Sequence, residues 1–181
     1  ALPRLLRALN GVDGIEWIRM LYLYPTTITD EVIDAVAELD KVCKYIDLPL
    51  QHASDAVLKR MKRPGTRASY TRLLHGLRSR VPGVSLRTTF IAGFPGETDE
   101  DVSELESFID EIGFDHLGVF TYSHEEGTTA HALADDVPEE VKEARQARLM
   151  ARQREIVAAR QAARIGERTR MIVDGPSPEH E

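Results

Sequence analysis

The chain has 181 residues, of which 42% are hydrophobic and 29% are charged, and its formal net charge is −7. This is enough apolar material for one packed domain, and the acidic balance excludes a polyanion-binding surface over the whole chain. The apolar runs are too short to span a membrane, and the single cysteine, Cys43, excludes a disulfide framework and fits a reducing cytoplasm.

Helical and extended patterns alternate through the first 122 residues. Strands are predicted at residues 15–24, 43–50, 85–92 and 116–122. The segments between them carry apolar residues at helical spacing, and Thr29, Ser54 and Thr98 are the predicted N-caps of three helices. Such alternation predicts parallel strands joined by right-handed crossovers, in a barrel or a doubly wound sheet.

The stretch from Ser85 to Val102, SLRTTFIAGFPGETDEDV, combines a strand, a turn and a capped helix. Residues 86–92 predict a strand that is buried on both faces. Pro95 and Gly96 predict a tight turn with a positive φ at the glycine, and Thr98 begins a helix whose first turn is acidic. In α/β folds, ligands bind at the carboxyl ends of such strands.

The turn itself, Gly93-Phe94-Pro95-Gly96, allows two interpretations. It is too short for a phosphate-binding P-loop and lacks the lysine of that motif. Its exposed backbone, beside Ile91, suits a flat apolar ligand such as an adenine ring. A plain connection between a strand and a helix explains the same residues equally well.

Other polar side chains have the chemistry of ligands without a recognised pattern. Gln51 and His52 follow the second predicted strand, where they can hydrogen-bond a ligand or only their own loop. Residues 123–137 form a long polar loop, whose length favours a functional role. Its histidines and acids lack a recognised metal-ligand spacing, and a solvated loop is favoured over a metal site. The basic cluster at residues 59–67 is favoured as a solvated charged face.

A long helix is predicted to begin with Pro138 at its first position and to end at Gly166. Its acids crowd the amino end and its arginines follow, as the helix dipole favours, and Leu149 belongs to a narrow apolar stripe. Residues 168–174 predict a lone strand. Because four βα units do not close a barrel and this strand has no partner, the pattern predicts a segment of a longer fold.

Four strings are more specific than these patterns: YIDLPLQHASDAVLKRMKRPGT, FIAGFPGETDED, VFTYSHEEGTTAHAL and VPEEVKEARQARLMARQREI. Together they resemble the methylthiotransferase branch of the radical S-adenosylmethionine (radical SAM) enzymes. The resemblance is strongest to members that modify an aspartate of ribosomal protein S-twelve of the small subunit. Members that modify tRNA share the GFPGET turn but read closer to LPVQSGS where this chain has LPLQHAS, so they are the alternative. A further alternative is a catalytically inactive remnant without clusters.

The resemblance implies an α/β fold of three parts. Residues 1–135 are then the C-terminal portion of a six-stranded partial TIM-type barrel of the radical SAM kind. Residues 136–166 are a long connecting helix, and residues 167–181 are the start of a small β-barrel called TRAM. The family carries two 4Fe–4S clusters, but its cysteine loops, such as Cys-x3-Cys-x2-Cys, are absent from this chain. No catalytic residue and no metal ligand is therefore assigned.

S-adenosylmethionine is the cofactor that the resemblance implies. The residues expected to bind it are Gln51, Arg63, Arg87, Ile91, Gly93, Val119 and Phe120. Ile91 and Gly93 are expected to line the adenine, together with the backbone of residue 119 or 120. Gln51 is expected near the ribose or the amino-acid end of the cofactor. The two arginines are candidates for its carboxylate or for the substrate aspartate, and the 123–137 loop lies where the substrate enters.

The resemblance also implies a cytoplasmic protein whose substrate partner is the ribosomal protein. The residues indicate neither an electron donor nor a membrane partner. Direct nucleic-acid binding is expected only through a complete TRAM domain.

Overall fold

The computed structural model describes residues 1–173 and 175, which form six α-helices, two short 3₁₀ helices and three strands. The helices are α1 (Leu2–Asn10), α2 (Asp30–Glu38), α3 (Asp55–Arg60), α4 (Arg67–Arg80), α5 (Asp99–Ile112) and α6 (Glu139–Ala163). The strands are β1 (Tyr45–Asp47), β2 (Ser85–Ala92) and β3 (His116–Thr121). The 3₁₀ helices are Pro25–Thr27 and Thr129–Ala132.

The three strands form one parallel sheet in the order β1-β2-β3. Helices α3 and α4 lie between β1 and β2 in the chain, and α5 lies between β2 and β3. The predicted α/β class with parallel pairing is therefore confirmed. Strand β2 has the predicted bounds, and β3 ends one residue earlier than predicted.

Strand β1 is shorter than the predicted strand at residues 43–50 because the chain bulges after it. Leu48 N–H donates to the carbonyl of Arg87 at 2.9 Å, and the next bond to β2 runs from Gln51 N–H to the carbonyl of Thr89, also at 2.9 Å. A regular parallel ladder uses the N–H of residue 50 at this point. The extra residue ends the regular strand and redirects the chain at Gln51.

The predicted strand at residues 15–24 is wrong. This segment runs beside β1 but makes one isolated parallel bridge, between Ile18 and Val42, and no ladder. Tyr22 has a φ of 55°, which lies in the left-handed region that a strand cannot contain. The next backbone bond, from Leu23 N–H to the carbonyl of Asp47 in β1 at 2.8 Å, comes after this break, so the segment forms isolated contacts and no continuous ladder.

The main core lies between one face of the sheet and the helices. Residues along β2 alternate between buried and half-buried, so the predicted burial on both faces is also wrong. Phe90 on the buried face meets Phe108 of α5 and Phe114 edge-on, with ring centroids 6.4 Å and 5.9 Å away. The opposite face, which includes Thr89 and Ile91, is half-exposed and contributes to the site described below.

Helix α6 packs on the sheet and beside α5. Pro138 is its N-cap rather than its first residue, and the helix ends at Ala163, three residues before Gly166. Leu149 is fully buried against the core. The boundary predicted between residues 135 and 136 stays a prediction.

The arginines of α6 form ion pairs mainly with acids of α5. Their positions therefore serve the packing of the two helices as well as the helix dipole. Arg148 lies 2.5 Å from Glu106, and Arg152 lies 2.5 Å from Asp110. Later residues of α6 pair with later residues of α5, so the two helices run in the same direction.

The chain beyond α6 forms no strand at residues 168–173, where one was predicted. The last residue of that prediction, Asp174, lies outside the described residues, as do residues 176–181. Across the described part of the chain, no helix combines the length and the apolar character needed to cross a membrane.

Candidate functional site

A cavity of about 400 Å³ lies at the carboxyl ends of the strands. Its lining residues are Gln51, Thr89, Ile91, Phe94, Phe120, Thr121, Tyr122, Ser123, Glu125, Thr128 and Ala130. The walls are mostly apolar, with a few amide, hydroxyl and carboxylate groups. A cavity of this size and character, at this end of parallel strands, is typical of a small-molecule site.

The strand register brings the two largest apolar walls together. Ile91 of β2 and Phe120 of β3 are Cα partners, so both side chains stand on the same face of the sheet. Phe120 is 61% exposed although it is aromatic. Phe94 and Tyr122 also line the cavity, beyond the ends of β2 and β3, with their rings 5.1 Å apart and edge-on. These groups line an apolar slot.

Gln51 enters the cavity from an unusual backbone conformation. Its φ is 74°, a left-handed value that costs roughly 1–2 kcal/mol for a residue with a side chain. Its N–H donates to the carbonyl of Thr89 and its carbonyl accepts from Ile91 N–H, both at 2.9 Å. The neighbouring strand therefore holds this conformation in place, and strain of this kind concentrates at functional sites.

The turn that follows β2 has the predicted conformation. Glu97 N–H donates to the carbonyl of Phe94 at 2.8 Å, with Pro95 and Gly96 at the two central positions. Gly96 has a φ of 73°, as a type II turn requires. Thr98 caps α5 through a capping box with Asp101, which confirms the predicted start of that helix.

Gly93 lies behind the cavity wall rather than in it. Its φ is 77°, and a Cβ atom added there would lie 2.2 Å from Cγ of Lys142. The aliphatic stem of Lys142 therefore covers this glycine from α6. Glycine is required at position 93 by both the backbone conformation and the close approach of α6.

Val119 also lies outside the cavity lining. Its side chain is buried on the core face, and its carbonyl accepts a hydrogen bond from Nε2 of Gln146 at 2.7 Å. The neighbouring residue, Phe120, does line the cavity.

The two predicted arginines lie outside the cavity lining. Arg87 stands on the same face of β2 as Ile91, four residues earlier, and donates from Nη1 to Oδ2 of Asp47 at 2.8 Å. This hydrogen bond to a fully buried carboxylate raises the pKa of the Arg87 guanidinium. Arg63 lies over the ring of Tyr24, with its guanidinium carbon 5.4 Å from the ring centroid. The structure therefore brings together Gln51, Ile91 and Phe120, and leaves the other four predicted residues outside the cavity.

Two groups of lining residues were missed by the sequence reasoning. Thr89 lies two residues before Ile91, so the period of two along a strand places both on one face and could have identified it. Tyr122 ends the predicted strand at 116–122, and Glu125 and Thr128 belong to the 123–137 loop; no local spacing indicates which of these residues return to the sheet.

The loop histidines stack rather than form a metal site. The rings of His124 and His131 lie 4.3 Å apart, and Nδ1 of His124 lies 3.2 Å from the hydroxyl of Tyr122. Among the described residues, no group of three or more His, Cys, Asp or Glu side chains is placed to hold a metal ion. With Cys43 as the only cysteine of the sequence, the residues present do not fit an iron–sulfur cluster.

A larger cavity, of about 670 Å³, lies at the opposite end of the sheet. Its polar lining is largely engaged in structural contacts, since Arg78 and Arg160 both bind Asp115 and the carbonyl of Gly113. The amino ends of parallel strands serve stability more often than chemistry. The cavity at the carboxyl ends is therefore the candidate site.

Comparison with curated proteins shows close relatives over almost the whole chain. The chain is 49% identical to the ribosomal protein uS12 methylthiotransferase RimO of Clostridium kluyveri, over 96% of this chain and 39% of that protein. It is 50% identical to the RimO protein of Clostridium tetani, over 99% of this chain and 40% of that protein. It is 51% identical to the one from Symbiobacterium thermophilum, over 98% and 36%. The chain thus spans about two fifths of the length of these relatives.

Comparison with solved structures supports the fold. Coproporphyrinogen III oxidase HemN of Escherichia coli, a radical SAM enzyme, superposes with a TM-score of 0.69 at 20% identity, over 86% of this chain and 36% of that one. The radical S-adenosylmethionine methyltransferase TsrM from Kitasatospora setae gives a TM-score of 0.55 at 20% identity, over 66% and 24%. The family model of the radical SAM superfamily matches residues 2–109. With a parallel sheet, a cavity at its carboxyl ends and this match over more than half of its length, the chain belongs to the radical SAM superfamily.

Proposed function

We propose that the cavity at the carboxyl ends of the strands binds the adenosine part of S-adenosylmethionine. The observation that carries this proposal is the apolar slot that Ile91 and Phe120 line side by side, with Gln51 also in its lining. An adenine ring needs apolar surface on its faces and a few hydrogen-bonding groups at its rim. Membership of the superfamily supplies the identity of the cofactor.

The residues around the slot have separate proposed roles. Ile91 and the backbone of Phe120 contact the adenine, and Gln51 hydrogen-bonds the ribose or the amino-acid end. Gly93 and Val119 act from behind the wall, since their positions determine where the slot lies. The four remaining N–H groups of Arg87, beyond the one that donates to Asp47, suit a carboxylate that approaches along the sheet face. Arg63 is a second candidate for that carboxylate.

We further propose that this chain is part of a methylthiotransferase that acts on the β-carbon of an aspartate in ribosomal protein uS12. The names and the high identity of the curated relatives support this substrate. In this proposal a 4Fe–4S cluster held by residues outside this chain would supply the electron that cleaves the cofactor. The residues of this chain contribute by binding and orienting the cofactor, and the proposed two clusters need ligands from elsewhere. The proposal places the protein in the cytoplasm, with residues 167–181 as the start of a TRAM domain.

Binding of a cofactor analogue tests the site directly. We expect S-adenosylhomocysteine, which is not cleaved reductively, to bind the chain in isothermal titration calorimetry. Ile91→Asp should weaken binding at least tenfold, about 1.4 kcal/mol, because a charge then meets the adenine face. Val12→Asp, at an exposed site next to Lys41 and before the amino end of β1, should bind normally. Equal affinities for both variants would rule out the slot.

The substrate is tested on purified protein that contains this chain, reconstituted with iron and sulfide. Mass spectrometry of uS12 in small ribosomal subunits should show one methylthio group in place of a hydrogen on the aspartate. Modification of tRNA with no change in uS12 would instead support the tRNA-modifying alternative.

A further inference from the structure

The turn after β2 contains a buried charge that binding to an adenine does not explain. The side chain of Glu97 is 0% exposed. Its Oε1 accepts from Gly93 N–H at 2.9 Å and from Nη1 of Arg145, on α6, at 3.0 Å. A buried carboxylate is costly unless it is paired and hydrogen-bonded, so these partners are needed to keep it in place.

The second oxygen of Glu97 faces a buried histidine. Oε2 lies 3.3 Å from Nε2 of His52, and the His52 side chain is also 0% exposed. Nδ1 of His52 accepts from Ser54 N–H at 2.9 Å, so Nδ1 carries no proton and the proton of the ring is on Nε2, the nitrogen on the side of Glu97. The two atoms lie within ion-pair distance but outside hydrogen-bonding geometry, and among the described residues neither Nε2 nor Oε2 has a hydrogen-bond partner.

These contacts join two connections beside the cavity to helix α6. His52 belongs to the connection after β1, directly next to Gln51. Gly93 and Glu97 belong to the connection after β2, and Arg145 belongs to the helix that follows β3. Arg145 also donates to the carbonyl of Glu97 at 3.1 Å and to Asp99 at 2.7 Å. A single carboxylate thus contacts the connections after β1 and β2, which carry Gln51 and Phe94 of the cavity lining, and helix α6 behind them.

We propose that Glu97 is a positioning residue of the cavity, and that Arg145 holds it there from α6. Glu97 contacts no cavity ligand. It acts through Gln51, by way of His52, and through Ile91, by way of Gly93. The effect of Glu97 on cofactor affinity rests on the proposed binding of adenosine. Its effect on the positions of Gln51 and Ile91 does not require a ligand.

Three variants test the proposal in the chain itself. Glu97→Gln keeps the shape and the acceptor for Gly93 N–H but removes the charge, and Arg145→Met removes the partner of that charge. Arg148→Met is the matched control, because it breaks the pair with Glu106, which joins the same two helices on the surface. Thermal unfolding shows that each variant is folded at the temperature of measurement. NMR then follows the Ile91 methyl and the Gln51 side-chain amide without ligand, and calorimetry follows S-adenosylhomocysteine.

We expect Glu97→Gln and Arg145→Met to weaken binding at least tenfold and to shift both NMR signals, while Arg148→Met changes neither. Folded Glu97→Gln and Arg145→Met proteins with wild-type affinity would overturn the positioning role. An affinity loss in Arg148→Met that matches its loss of stability would also overturn it, since the effect would then be general destabilisation.

The two proposals fail separately. If the wild-type chain binds no S-adenosylhomocysteine, the proposed adenosine site is wrong, and the NMR signals alone decide the positioning role. Shifts at Gln51 and Ile91 in Arg145→Met that exceed those in Arg148→Met would then support it, and equal shifts would overturn it.

Discussion

Gln51 combines a backbone cost with a place in the cavity wall. A glutamine in the left-handed region is less stable than a glycine there, because the Cβ atom crowds the backbone. The bulge after β1 and two hydrogen bonds to β2 hold this conformation. We attribute the presence of glutamine rather than glycine at this position to a role of its side chain in the cavity.

Replacing Gln51 by Gly should therefore separate stability from binding. We expect the free energy of unfolding to rise by about 1 kcal/mol, since the strain is removed, while affinity for S-adenosylhomocysteine falls. Lys62→Gly is the matched control, because Lys62 is exposed and has a φ of 54°. It should gain similar stability with unchanged affinity. Urea unfolding and calorimetry measure the two quantities, and a Gln51→Gly protein that binds normally would contradict the role of this amide.

Helix α5 is joined to the loop after β1 through its own capping box. Asp101 accepts from the backbone and the hydroxyl of Thr98 and from the hydroxyl of Ser54, which is itself the N-cap of α3. Arg60 adds a charge at 3.4 Å. One carboxylate thus supports the amino ends of two helices.

These contacts predict a pH dependence of stability. Burial acts to raise the pKa of Asp101, but the hydrogen bonds from Ser54 and Thr98 and the charge of Arg60 lower it below the ordinary aspartate value. The folded pKa is therefore below the unfolded one. The stability that the carboxylate contributes is fully present above about pH 4 and is lost as the pH falls through the lowered pKa.

The measurement compares wild type with Asp101→Asn. We expect the variant to be less stable by about 1 kcal/mol at pH 7 and the difference to vanish near pH 2, as followed by chemical unfolding. Asp110→Asn, in an exposed pair with Arg152 on the same helix, should change stability by less than about 0.5 kcal/mol. A loss at Asp101 that is the same at every pH would contradict the assignment.

At the scale of the molecule, one edge of the sheet is covered only by an irregular apolar segment. Trp17, Leu21 and Tyr22 are 40%, 53% and 75% exposed beside β1. Isolated pairs to β1 do not satisfy this edge, and exposed apolar edges favour association.

The 181-residue chain should therefore self-associate in solution. Light scattering at roughly tens of micromolar should give a mass above the 20.3 kDa of one chain. Leu21→Lys should lower this mass, because a charge at the edge opposes pairing. Leu133→Lys, at an exposed loop position, should have no such effect. A wild-type chain that is monomeric would contradict this prediction.

What the sequence alone determined about this protein is local. The bounds of β2, the N-caps at Thr29, Ser54 and Thr98, and the positive φ of Gly96 follow from interactions within a few residues, so their residue types indicate them directly. The apolar wall at Ile91 follows from the same strand and its turn. The resemblance to the family was recognised from four sequence segments that contain these local features.

Only the tertiary structure decided the features that depend on distant segments. Residues 15–24 have a strand composition, but a ladder needs a partner in register, and Tyr22 leaves the extended region. Gly93 was expected in the wall, yet α6 covers it. Glu97 meets Arg145 at a separation of 48 residues, which no local pattern encodes. Burial and pairing of a charge depend on which chain segments are brought together, and that is a property of the packed molecule.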